Sequence, residues 1–386
     1  RMHTAVKIAP QYNNGVVHVL DASRSVTVAG SLLSQEQKGD FLTSVKNEYT
    51  KLAIDFASKR VVKQLLSFEE AQANKTNINW KNYTAPAPTF TGVKAFNDFD
   101  LKELLNYIDW QPFFIAWEMH GKFPQILSDE VIGKEATRLY NDAQALLKKV
   151  IDEKWLTADA VIGFWPANSN GKDTVTLRKD DKEVVNLEFL RQQAKKAGGQ
   201  PNTSLADFIA PAEEGIPDHI GAFAVSIHGI EPHIKRFQEQ HDDYNKITLQ
   251  ALADRLAEAF AEKMHEMVRK EYWGYAKEEH FTNEELIKEE YSGIRPAPGY
   301  PACPDHTEKT KLFALLKATE LAGIELTESL AMYPAASVCG WYFSHPESKY
   351  FGIGKITKEQ VIDYAQRKQM SLEEAERWLT PILDYE

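Results

Sequence analysis

The residues best suited to chemistry stand in the segment RPAPGYPACPDHTEK, Arg295 to Lys309. Arg295 offers a guanidinium that is always charged and carries a planar fork of donors, the geometry a carboxylate accepts. Four prolines hold the backbone extended at low entropy. Gly299 lets a ligand lie against main-chain atoms that a side chain would cover, and Tyr300 follows it. Taken alone, these residues also fit a proline-rich surface loop with a solvated arginine.

Other groups are more ambiguous. Asp109 sits between Ile108 and Trp110 in the run IDWQPFFIAW, where an acid either caps a turn or faces a cation. Asp254, Glu258 and Glu262 recur every fourth residue, which on a helix makes one acidic stripe, usually a solvated face. Tyr350 and Phe351 are adjacent, so in a strand their side chains point to opposite faces and cannot both pack on one ring. His306, within Cys303-Pro304-Asp305-His306-Thr307-Glu308, reads as a helix start rather than a metal ligand. Gly352, Gly354 and Lys355 lack the spacing of a phosphate loop. No GxGxG occurs, which disfavours the common nucleotide-binding turn of a doubly wound methyltransferase.

The 386 residues exceed one average domain and permit a sizeable core. A net charge of −11 argues against a nucleic-acid partner, which needs a basic footprint. Two cysteines, Cys303 and Cys339, are too few for a disulfide framework and fit a reducing, cytoplasmic setting. No apolar run reaches the roughly 20 residues of a membrane helix. The opening RMHTAVKIAP has no signal-peptide core, and Arg1 in place of an initiator Met suggests a piece of something longer.

Elements that would position these groups follow from the periodicities. Val16 to Leu20 (VVHVL) is expected as a short strand after the Asn13-Asn14-Gly15 turn, with a helix from Phe41 to Lys59. One strand and one helix cannot bury themselves, so they suggest a truncated doubly wound α/β domain. A helix is expected at Asp100 to Tyr107 and an extended buried run at Ile108 to Trp117. A long helix should cover Val131 to Trp155, and strands are expected at Ala160 to Trp165 and His219 to Ile227. A hairpin should form around Lys179-Asp180-Asp181-Lys182. The longest helix should span Asp242 to Tyr272, and Thr282-Asn283-Glu284-Glu285 opens another. Ala335 to Phe343 and Tyr350 to Ile356 read as paired strands, before two short closing helices. Hairpins without regular βαβ alternation predict an α+β domain with an antiparallel sheet and long helices.

Several of these stretches together carry a resemblance. RPAPGYPACPDHTEK, ESLAMYPAASVCGWYFSHPESKYFGIGKI, QHDDYNKI and IDWQPFFIAWEM resemble the activation domain of cobalamin-dependent methionine synthases, and HTAVKIAPQYNNGVVHVLDASRSV resembles the end of their cobalamin-binding domain. The resemblance implies a cobalamin-domain remnant and linker at residues 1–58 and an S-adenosylmethionine-binding activation domain at 59–386. It implies S-adenosylmethionine contacts at Asp109, Glu258, Arg295, Ala297, Tyr300, Tyr350 and Phe351, and a cobalamin contact at Ala22. Phe351 removes a hydroxyl where many family members carry a second tyrosine. The Asp-x-His-x-x-Gly segment that bears the cobalt-ligating histidine is absent from this sequence. The implied activity is methyl transfer from S-adenosylmethionine to reduced cobalamin, the reactivation step of a methyltransferase, with no general base. Implied partners are the cobalamin domain and a flavodoxin-type reductase; the family's zinc belongs to a homocysteine domain not seen here. The alternative is a non-catalytic module that binds S-adenosylmethionine and docks.

Overall fold

The computed structural model describes residues 1–59, 64–179 and 182–385. They form two compact units, Arg1–Gln64 and Leu65–Glu386.

The first unit is helical. Helix α1, Ala22–Leu33, starts at Asp21, whose carboxylate accepts the Arg24 N–H, a standard N-cap. Helix α2 is Lys38–Lys59. The expected strand at Val16 to Leu20 is not one: these residues are irregular, with the His18 N–H bonded to the Tyr49 hydroxyl at 2.8 Å. A strand exists only through a ladder, and no neighbour among the described residues supplies one here.

The second unit opens with α3, Phe68–Ala73, capped reciprocally by Ser67 and Glu70. Strand β1, Gly92–Phe96, precedes a 3₁₀ turn at Leu101–Tyr107. Helix α4, Gln111–Ala116, then replaces the extended run expected at Ile108 to Trp117. Pro112 tolerates a first helical turn, where its missing N–H costs nothing. Trp110, Phe113 and Phe114 are buried while Ile115 is 60% exposed, a helical rather than alternating pattern. Helix α5, Gly133–Asp152, leads into β2, Thr157–Ser169, and the hairpin of β3, Thr174–Lys179, and β4, Lys182–Glu188. Lys179 pairs with Lys182 as expected; Asp180 and Asp181 of the turn lie outside the described residues.

Strand β5, Asp218–His228, is followed by α6, Glu231–Glu239, and the long α7, Asp243–Met267, which ends in a π-helical turn at Val268–Tyr272. Helices α8, Asn283–Ile287, α9, Glu308–Leu316, and α10, Ala318–Ala322, come next. The small ribbon of β6, Glu325–Leu326, and β7, Met332–Tyr333, precedes β8, Ser337–Tyr342. Helices α11, Lys358–Lys368, and α12, Leu372–Leu379, close the chain.

The main sheet runs β4-β3-β2-β5-β8, all antiparallel, with β1 paired to the first half of β2. Both of its faces are covered, which explains the near-continuous burial of β2 and β5. Alternation sorts the side chains. Ile162, Phe164, Phe223, Val225 and Tyr342 join α5 and α7 in one core, while Val161, Trp165, Ala222, Ala224 and Trp341 join α9 and α10 in another. A third core packs α11 and α12 against Ile353 and Ile356. The strand expected at Tyr350 to Ile356 is absent: the segment is irregular, and Ile356 makes only a single bridge to Leu383. Its N–H groups find scattered partners instead, such as Ile353 N–H to the Pro301 carbonyl at 2.8 Å.

Candidate functional site

The edge of β8 positions the proline-rich segment. Ile294 exchanges both backbone bonds with Phe343 at 3.0 Å, and the Trp341 N–H donates to the Pro296 carbonyl at 2.9 Å. Ile294 to Pro296 therefore runs as an extra antiparallel strip, although a proline can sit there only at an edge. Gly340 makes this close approach possible, since a β-carbon on it would meet the Pro296 carbonyl oxygen at 2.9 Å. Beyond Pro298 the chain turns tightly. Gly299 takes a φ of 95°, its N–H bonds the Cys303 carbonyl at 2.7 Å, and the Tyr300 N–H bonds the Ala297 carbonyl at 3.1 Å.

Arg295 leaves this strip to enter a cleft of about 320 Å³ bordered by Tyr107, Asp109, Pro112, Arg255, Glu258, Glu262, Asn283, Glu289 and Arg295, among others. Three expected site residues from distant segments, Asp109, Glu258 and Arg295, thus share one cavity. The local sequence explains each placement. Asp109 accepts the Gln111 N–H at 2.9 Å, so it turns the chain into α4. Glu258 lies on α7 one turn before Glu262. Asn283 begins α8, whose Thr282–Glu285 capping box fixes its entry. The Asn283 amide donates to the Ile108 carbonyl at 3.1 Å and leaves its Oδ1 buried without a partner.

The Arg295 side chain is 19% exposed and held on both prongs. Nη2 lies 2.6 Å from Glu262 Oε2, and Nη1 lies 2.7 Å from the Tyr291 hydroxyl and 3.1 Å from His265 Nδ1. An arginine only donates, so His265 accepts there and is neutral with its proton on Nε2. Burial, with help from the Arg269 and Arg295 charges, holds its pKa well below the ordinary value. For Arg295, burial works to lower the pKa, but the Glu262 carboxylate overrides it and the net shift is upward. Glu262 is therefore not part of a solvated stripe: its side chain is 9% exposed, whereas Asp254 faces solvent. Sequence periodicity put the three acids on one face but could not say that α7 turns Glu262 inward onto two arginines.

The remaining expected residues are not among those bordering this cleft. The Tyr350 hydroxyl accepts the backbone N–H of Arg295 at 3.0 Å. Ala297 and Tyr300 form the turn after the strip; Tyr300 is 60% exposed and close enough to feel the Glu258 charge. The Phe351 ring packs edge-on against Phe208, 6.4 Å between centroids, so its side chain serves the neighbouring cores. Ala22 is exposed at the start of α1, in the first unit. Among the described residues no group of three His, Cys, Asp or Glu side chains is placed to hold a metal ion, and no helix is long and apolar enough to cross a membrane.

Comparison with known proteins bears on the fold and the family. A solved structure described as the MetH reactivation domain bound to AdoHcy superposes with a TM-score of 0.80 at 50% sequence identity, covering 83% of this chain and 99% of the other. Residues 100–369 match the family described as vitamin B12 dependent methionine synthase, activation domain. That span holds the cleft, the β8 edge and the proline-rich strip, and on this match the chain belongs to the activation domains of vitamin B12-dependent methionine synthases.

Proposed function

We propose that the cleft receives the amino-acid end of S-adenosylmethionine and that the chain presents the donor methyl for reductive remethylation of cobalamin. The observation that carries this is the meeting of Asp109, Glu258 and Arg295 in one cavity. The Arg295 fork suits the ligand carboxylate. The acids Asp109, Glu258 and Glu289 suit its cationic centres, where displaced water leaves charges poorly screened. The unpartnered Asn283 Oδ1 is a further acceptor in the wall. The Tyr350 hydroxyl braces the backbone that carries Arg295, and the Ala297–Tyr300 turn follows directly after it. The ligand's identity is supported by the half-identical domain described with AdoHcy.

Cobalamin, where bound in such an enzyme, would supply the methyl-accepting centre. The residues present here do not by themselves fit that group, because the sequence has no Asp-x-His-x-x-Gly segment and Ala22 alone is implied as a contact. The contribution of this chain is to bind and orient the donor, with alignment rather than proton transfer as its means. The rest of the cobalamin domain and a flavodoxin-like reductase are the proposed partners, the first meeting residues 1–58 and the Asp254–Glu258 face. Titration calorimetry tests the reading: the protein should bind AdoHcy, and Arg295→Ala should weaken it by roughly 2–4 kcal/mol, the scale of a charge-assisted pair left incomplete. Equal affinity in a folded Arg295→Ala protein would remove Arg295 from the site.

A further inference from the structure

We propose that Glu262 is the positioning residue for Arg295, a carboxylate that holds the guanidinium back so that the cleft stays open for a ligand carboxylate. This rests on the reading that Arg295 receives that carboxylate. Glu262 stands between two cations: Oε2 is 2.6 Å from Arg295 Nη2 and Oε1 is 3.7 Å from Arg269 Nη1. Arg269 is itself fully buried, anchored by Glu279 at 2.7 Å and laid over the Tyr291 ring at 4.2 Å. A chain of alternating charge, Glu279–Arg269–Glu262–Arg295, thus reaches from the interior to the cleft. The other prong of Arg295 meets only neutral acceptors, the Tyr291 hydroxyl and His265 Nδ1.

The need for such a hold lies in what else surrounds the guanidinium. Glu258 and Glu289 border the same cleft, and the Glu289 carboxylate feels the Arg295 charge. Arginine has a long stem with much rotamer freedom. Without Glu262 it can swing to either of these acids, filling the cavity and spending its charge on them. With Glu262 in place, the fork is fixed before the ligand arrives, and preorganisation of this kind raises affinity by sparing the ordering cost on binding. Glu262 makes no claim on the ligand itself; it acts through Arg295.

The test is calorimetry on the full chain with two probes, AdoHcy and 5′-methylthioadenosine, which lacks the amino-acid end. Glu262→Gln is expected to weaken AdoHcy by about tenfold or more, as for loss of an oriented charge-assisted contact, with methylthioadenosine unchanged. In an Arg295→Ala background the same substitution should have no further effect on AdoHcy. Should Glu262→Gln fail to fold, Glu262→Asp keeps the charge one methylene shorter, and a smaller loss confined to AdoHcy is expected. Equal losses for both probes would mean a structural role. Unchanged or tighter AdoHcy binding would make Glu262 inert or a competitor, and an additive loss in the double variant would uncouple it from Arg295. Each of these overturns the proposal. Wild-type protein that ignores AdoHcy, or an Arg295→Ala protein that binds it normally, would instead bring down the reading of the cleft.

Discussion

Gly299 lies so close to His306 that a β-carbon on it would come within 2.2 Å of the imidazole Cε1. The ring cannot simply swing aside, because its Nδ1 sits 3.1 Å from Lys309 Nζ, which is also tied to the Leu330 carbonyl at 2.9 Å. His306, whose surroundings in the sequence read as a helix start, packs its ring against the Gly299 turn. With φ at 95° as well, Gly299→Ala should combine backbone strain with a clash. We expect a stability loss of about 2 kcal/mol or more, read as a lower unfolding midpoint in denaturant, together with weaker AdoHcy binding. A midpoint within error of wild type would contradict the geometry.

Tyr350→Phe removes the hydroxyl that accepts the Arg295 backbone N–H. The phenyl ring can keep its packing, so the cost is that of an orphaned donor in a mostly buried strip, about 1–2 kcal/mol. The effect should reach the site as well, since the same backbone carries Arg295. Hydrogen exchange of the Arg295 amide is the direct probe, and we expect faster exchange in the variant. Unaltered protection would show that another group takes the hydroxyl's place.

Asp109 should distinguish a charged ligand from a neutral one. Its carboxylate borders the cleft while one oxygen stays committed to the Gln111 N–H. Asp109→Asn keeps an acceptor for that turn and removes the charge. The variant should therefore lose about 1 kcal/mol more affinity for S-adenosylmethionine, a sulfonium, than for uncharged AdoHcy, the scale of a partly screened pair. Equal losses would assign Asp109 to the turn alone.

Asp218 gives a pH dependence of definite sign. Its side chain is buried, and desolvation raises the carboxyl pKa to about 6 despite backbone N–H bonds from Ala210 and His219. The folded state therefore keeps this proton over a pH range in which the unfolded chain has released it. The stabilisation is complete below the unfolded value near 4 and is lost as pH rises through about 6. Relative to Asp218→Asn, which does not titrate, wild type should lose on the order of 2–3 kcal/mol of unfolding free energy across that window. Denaturant melts of both proteins at several pH values between 4 and 7.5 measure the difference. A constant difference would mean that water reaches the carboxylate.

Much of what matters here is local and therefore written in the sequence. Short apolar runs mark β2 and β5, three-to-four spacing marks α5 and α7, and the Lys179–Lys182 turn marks its hairpin. Thr282 and Glu285 announce α8, and the prolines and glycine of Arg295–Tyr300 announce an extended strip that ends in a tight turn. Each of these depends on neighbours a few residues apart. The tertiary structure decided the rest, because the deciding partner is distant in the chain. VVHVL has the composition of a strand, but a ladder needs a second strand, and the first unit provides none among its described residues. The segment after Tyr350 has strand-forming residues too, yet its backbone bonds go to Pro301 and Gln192 instead of a ladder. Glu262 belongs by periodicity to a solvated stripe, and only the packing of α7 against the β8 edge turns it onto Arg295, 33 residues further along the chain (295 less 262). Burial is a property of where an element lands, and no spacing rule within one helix can supply it.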